Sequence, residues 1–62
     1  MCDKLNRLRK QRDEAYDEVS ILESYLRDAR REGKPTTPIV NAIESIHRGI
    51  KEIDQKILQL LC

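Results

Sequence analysis

Aromatic residues are nearly absent from this sequence of 62 residues, which has two Tyr and neither Trp nor Phe. Charged residues, by contrast, make up 37% of the chain. That composition is typical of a coiled coil and argues against a compact enzyme domain. We therefore expect an interaction module rather than an enzyme.

Metal ligands and phosphate-binding glycines are also scarce. The single His lies in mid-chain and the two Cys lie at the two ends, so the three side chains cannot converge on a tetrahedral metal centre within one chain. Gly33 and Gly49 stand alone and do not form a glycine-rich phosphate loop. We expect no catalytic residue, no cofactor and no metal site.

Long apolar runs are missing as well. No stretch approaches the roughly 20 residues that a transmembrane helix needs, and no hydrophobic signal-peptide core follows Met1. The formal net charge of +1 gives no general reason for binding nucleic acid or a membrane surface. We expect a soluble cytoplasmic protein that does not insert into membranes.

What the chain has instead is a heptad repeat on each side of one turn. In the first half, apolar residues and one arginine recur at steps of three and four: Leu5, Leu8, Arg12, Ala15, Val19, Leu22, Leu26 and Ala29. In the second half the repeat is almost all isoleucine: Ile39, Ile43, Ile46, Ile50, Ile53, Ile57 and Leu60. This spacing places one apolar stripe, here called the seam, on one side of each helix. It predicts an all-α fold, a single antiparallel two-helix coiled-coil hairpin.

Start and stop signals bound the two helices. The carboxylate of Asp3 can accept amide hydrogens of the first turn. Gly33 supplies the left-handed conformation that ends a helix, and Pro35 follows to prevent its continuation. Thr37 is the expected N-cap of the second helix, with Pro38 as its first residue. The predicted segments of the single domain 1–62 are helix one over about 3–32, a turn over 33–37 and helix two over about 38–61.

Arg12 is the one charged residue in the seam. Its long side chain can reach past the edge of the helix and pair with Asp54 or Gln55 on the second helix. A polar residue at such a position can instead serve to fix the register of the two helices. The sequence leaves both interpretations open.

Cys2 and Cys62 lie at the two ends that an antiparallel hairpin brings together. A disulfide between them would stabilise the fold by about 4 kcal/mol in the chain-entropy model. The register opposes it, because Cys62 should lie level with residues four positions further along than Cys2, an axial gap of about 6 Å. A disulfide allows only about 7 Å between its Cα atoms in total. An intramolecular bond, an intermolecular bond and free thiols all remain open.

Five residues beside the seam form the predicted partner surface, here called the patch: Ile21, Tyr25, Ala42, Ser45 and Gly49. Small residues let another helix approach the backbone closely, and Tyr is a common anchor in protein interfaces. A glycine within a helix costs about 1 kcal/mol relative to Ala, which is understandable if something packs there. We expect the hairpin to bind itself, forming a four-helix bundle, or to bind another protein.

The first turns of helix one suggest a different class of partner. Four basic residues, Lys4, Arg7, Arg9 and Lys10, occur there within seven positions. They oppose the positive end of the helix dipole instead of complementing it. A small hairpin dimer that binds RNA or DNA through these residues is the alternative hypothesis, and steep loss of binding with added salt would identify it.

The end of helix one and the turn resemble a known interaction motif. The segment over 24–34, SYLRDARREGK, is similar to the first helix and turn of the Rab-binding hairpins of rabenosyn-type endosomal effectors. Those hairpins carry an aromatic-aliphatic pair followed by Ala-basic-x-x-Gly-basic, whereas the turn here is one residue longer and holds two prolines. The resemblance covers about eleven of the 62 residues. It implies that Tyr25, Ile43 and Ile46 contact a small GTPase of the Rab type.

Overall fold

Two long helices pack side by side and run in opposite directions. The computed structural model describes residues 2–60, and within them α1 spans Asp3–Glu32 and α2 spans Thr37–Gln59. No strand occurs in that part of the chain. The predicted all-α hairpin is therefore confirmed.

The C-terminus of α1 is closed by Gly33, whose φ of 70° lies in the left-handed region that favours glycine. The amide of Lys34 then donates to the carbonyl of Ala29 at 2.8 Å, as in the capping motif that ends many helices. At the other end Asp3 is in the first turn, where its negative charge complements the helix dipole. The expected cap is not formed, because Cys2 is the N-cap residue and no side chain caps α1.

The start of α2 differs from the prediction by one residue. The amide of Val40 donates to the carbonyl of Thr36 at 3.0 Å, so the first helical hydrogen bond closes on Thr36. Thr36 is consequently the N-cap, and Thr37 and Pro38 are the first two helical residues. α2 ends at Gln59, where the backbone of Leu60 turns to an extended conformation with ψ of 129°. The expected end at residue 61 lies outside the described residues.

The structure places the predicted seam residues between the two helices. Every seam position of both helices is buried or half-buried, and the fully buried residues are Val19, Ala29 and Ile50. Ile50 is the most buried of them, with 4% of its surface exposed. The remaining seam residues are only half-buried, because two helices alone leave the outer edges of most seam side chains in contact with solvent. The core is thus a single thin layer.

The hairpin is long and flat. Its Cα trace measures 49 × 15 × 10 Å, so it has two broad faces, one on each side of the seam. Neither helix in the described part of the chain combines the length and the apolar character needed to cross a membrane. The two broad faces are the largest surfaces of the hairpin.

Candidate protein interface

Two rows of side chains lie next to each other on one broad face. In α1 the row repeats every seven residues as Lys4, Gln11, Glu18 and Tyr25, and in α2 it repeats as Ala42, Gly49 and Lys56. Seven residues make about two helical turns, so each row stays on one side of its helix. Lys4, Gln11 and Lys56 line one groove, which makes the two rows neighbours. We call this side of the hairpin the Tyr25 face.

The patch residues share a height on that face as well. Arg12 is bonded to Asp54 across the seam, which sets the register. The nine residues from Arg12 to Ile21 match nine residues back from Asp54, which end at Ser45. The thirteen residues from Arg12 to Tyr25 match thirteen residues back from Asp54, which end at Asn41, one residue from Ala42. The patch residues of the two helices thus lie at similar heights, and their role as a partner surface stays a prediction.

The patch residues have large side chains on α1 and small side chains, or none, on α2. Ile21 and Tyr25 of α1 are 55% and 58% exposed. Ser45 is exposed, and Ala42 and Gly49 are half-buried, on α2. Apolar side chains of this size that remain in water gain roughly 25 cal/mol for each Å² that a partner covers. The patch therefore has surface whose burial would favour association.

Gly49 is not required by the fold of one chain. A Cβ built on it meets no atom within 4 Å, so no neighbour within the hairpin needs the space. Its backbone is ordinary right-handed helix, since the only glycine with positive φ in the described residues is Gly33. Gly49 still costs about 1 kcal/mol of helix stability relative to Ala. The described hairpin alone gives no structural reason for a glycine at this position.

The opposite face is closed by an ion pair between the helices. Nη1 of Arg12 donates to Oδ1 of Asp54 at 2.9 Å, and both side chains are half-buried. The hydrogen bond to Asp54 raises the pKa of the Arg12 guanidinium, against a smaller opposing effect of desolvation. The predicted pairing with Asp54 is confirmed, and Gln55 is exposed. We call this side the Arg12 face.

Two exposed apolar residues were not nominated by the sequence reasoning. Leu58 is 84% exposed and lines a shallow groove with Arg12, Asp54 and Ile57 on the Arg12 face. Tyr16 is also exposed. Both lie off the seam, and the heptad pattern alone could have identified them as uncovered. Isolated apolar residues on a surface are common and need no partner.

The basic residues at the start of α1 do not gather on one surface. Lys4, Arg7, Arg9 and Lys10 are all exposed, and none of them forms an ion pair within residues 2–60. Successive helical residues are rotated by about 100°, so these four point around more than half of the helix. Lys4 alone shares a groove with a basic residue of α2, Lys56. The arrangement is that of a solvated charged segment.

Cys2 is disulfide-bonded. It precedes α1 with φ of −96° and ψ of 95°, an extended backbone that is not part of the helix. The free-thiol alternative is thereby wrong for Cys2. The sequence has one other cysteine, Cys62, which lies outside the described residues.

Residues 2–60 hold no cluster of three or more His, Cys, Asp or Glu side chains that could bind a metal. His47 is exposed on α2 and makes no hydrogen bond to another described side chain. The three Ser residues lie on exposed helix surfaces, where Ser24 donates to the carbonyl of Ser20 at 3.3 Å. The candidate site among the described residues is therefore the patch on the Tyr25 face.

No family model, curated protein or solved structure matches this chain. The resemblance to Rab-binding hairpins consequently depends on the sequence motif alone. In the structure Tyr25 is exposed, but Ile43 and Ile46 are half-buried in the seam against α1. A GTPase could reach Tyr25 directly and the two isoleucines only along their outer edges.

Proposed function

We propose that this hairpin is a non-catalytic association module whose working surface is the patch on the Tyr25 face, and that it binds a second copy of its own chain. Two hairpins packed face to face form a four-helix bundle. Such a bundle would cover Ile21 and Tyr25, the exposed apolar residues of the patch.

The observation that carries this proposal is the open space above Gly49. The fold of one chain neither fills that space nor needs the glycine conformation there. A helix from a second molecule would use the space, because a missing Cβ allows two helix backbones to approach closely. The cost of about 1 kcal/mol for a mid-helix glycine would then be offset at the interface.

The thin core supports the same proposal. Only three of the described residues are fully buried, and a single core in so small a domain rarely supplies more than about 3–5 kcal/mol. A second hairpin would add a layer and bury apolar surface that one chain leaves in water. Self-association would thus stabilise the fold as well as perform the function.

Replacing Gly49 with Leu tests the proposal. The new side chain has room in the isolated hairpin and raises helix propensity, so the helical content and melting temperature of the monomer should not fall. It fills the space that the second copy would occupy. We expect the dimer dissociation constant, measured by sedimentation equilibrium, to rise at least tenfold, which corresponds to a loss of about 1.4 kcal/mol.

The matched control neutralises Arg7, Arg9 and Lys10 together. Exposed charges contribute little to association, so the dissociation constant at physiological salt should change by no more than about threefold. If this triple change abolished binding while Gly49→Leu did not, the basic segment would be the interface. Binding to RNA or DNA that weakens steeply with salt would then become the better account.

Self-association and binding of a different protein are separated by the mass of the purified protein. At about 100 μM the reduced protein should sediment as a dimer or a larger species. A reduced monomer that melts cooperatively would exclude the second copy as the partner. The patch would in that case serve another protein, and a small GTPase would be the first to test.

A further inference from the structure

We infer that the second copy docks with its long axis in the same sense, so that the two turns lie at the same end of the bundle and each α1 packs on the α2 of the other copy. This inference rests on the proposed function and specifies its geometry. It follows from the heights and sizes of six side chains on the Tyr25 face.

Large side chains on α1 stand level with small ones on α2. Counted from the Arg12–Asp54 pair, Ile21 is level with Ser45, and Tyr25 lies within one residue, about 1.5 Å, of the height of Ala42. The same count for Glu18 ends at Arg48, one residue from Gly49. Three successive heights therefore pair a long side chain on one helix with a short one, or none, on its neighbour.

A twofold axis that runs along the hairpin keeps every residue at its own height and exchanges the two helices. Each large side chain of one copy then meets the small residue at the same height on the other copy. Tyr25 would pack on the second copy's Ala42, and Glu18 would lie over the second copy's Gly49. All packed helix pairs would run antiparallel with a similar separation.

The other face-to-face arrangement turns one hairpin end over end. It would stack Ile21 on its own equivalent and leave the small residues of the two α2 helices opposite each other. Close-packed helices lie about 8–10 Å apart, and this stacking would hold the α1 pair apart while leaving a gap between the α2 pair. Sizes along the patch therefore favour the lengthwise axis.

The available area is sufficient for a specific dimer. The broad face of the Cα trace measures 49 by 15 Å, an outline of about 700 Å² before side chains are counted, compared with about 800 Å² per partner in a standard interface. A second copy fits the whole length of this face only if the two hairpins lie along each other.

Lysine cross-linking of the unmodified protein distinguishes the two arrangements. A mixture of ¹⁴N- and ¹⁵N-labelled chains would be treated with a short lysine-reactive cross-linker and digested, and peptides containing both isotopes would report contacts between copies. Lys34 lies in the turn. We expect mixed-isotope links from Lys34 to Lys34. Links from Lys34 to Lys4 or Lys10 of the other copy would overturn the lengthwise axis while supporting dimerisation.

A rescue experiment gives a second, independent readout. In the lengthwise dimer Leu at position 49 is crowded by the second copy's Glu18, so Gly49→Leu should regain at least half of its lost affinity when mixed with a Glu18→Ala chain. In the end-over-end dimer position 49 would instead face the α2 helix of the second copy. Glu18→Ala would then restore no affinity, and that result would refute our arrangement. Absence of any dimer of the wild-type chain would refute the proposed function itself.

Discussion

The two broad faces of this hairpin differ in whether they are completed within one chain. On the Arg12 face, a hydrogen-bonded ion pair joins the two helices across the seam at 2.9 Å. On the Tyr25 face, no hydrogen bond or ion pair among the described residues crosses between the helices. Large apolar side chains remain in water on both faces, Ile21 and Tyr25 on the Tyr25 face and Leu58 on the Arg12 face. The comparison shows that polar side chains join the two helices on the Arg12 face and not on the Tyr25 face, which is the face that we propose for the partner.

The largest effect should come from the seam, on which both faces depend. Ile50→Asp would place a carboxylate at the most buried position of the chain, and a buried charge without a partner is strongly destabilising. We expect the helical signal in circular dichroism and the association to be lost together. Leu58→Asp is the matched control on the same helix, because Leu58 is 84% exposed, and it should leave both unchanged.

Removing the disulfide at Cys2 should have a smaller effect on stability, and it should not affect dimerisation through the Tyr25 face. Cys2→Ser removes the bond and so increases the entropy of the unfolded chain. The melting temperature should fall by several degrees, since 1 kcal/mol shifts a domain of this size by about 4–8 °C. Sedimentation at a temperature where the variant is folded should still show the dimer. Monomeric behaviour of the folded variant would mean that the bond, rather than the patch, holds copies together.

The smallest effect should come from the ion pair of the Arg12 face. Arg12→Asp sets two carboxylates against each other, and Asp54→Arg sets two guanidinium groups against each other. Each single variant should melt at a lower temperature, and the charge-swapped double variant should recover most of the loss, as a double-mutant cycle can measure. The dimer dissociation constant should stay within about threefold throughout, since the pair is on the other face. A large change in that constant would show that the two faces are not independent.

The helices and their seam could be predicted from the sequence because the required information is local and periodic. A step of three or four residues decides which side chains share a face, and the positions from Leu5 to Ala29 and from Ile39 to Leu60 follow it without interruption. The turn could also be predicted from the sequence, because the left-handed φ at position 33 favours glycine.

Features that depend on atomic detail could not be predicted. The sequence allowed Arg12 to pair with either Asp54 or Gln55, and only side-chain reach across the seam selected Asp54. The N-cap of α2 lies at Thr36 rather than Thr37 because of one backbone hydrogen bond. The five patch residues were nominated from the sequence, but the open space above Gly49 became visible only with the backbone in place.

The uneven burial along the seam has a consequence for how the molecule opens. Val19 and Ile50 lie near the middle of the rod and Ala29 lies near the turn, whereas no residue from Cys2 to Arg12 is fully buried. Amide hydrogens in the half nearer the turn should therefore exchange with solvent most slowly, and local opening should begin at the free ends. Cys2, which is disulfide-bonded, thus lies at the end of the hairpin that should open first.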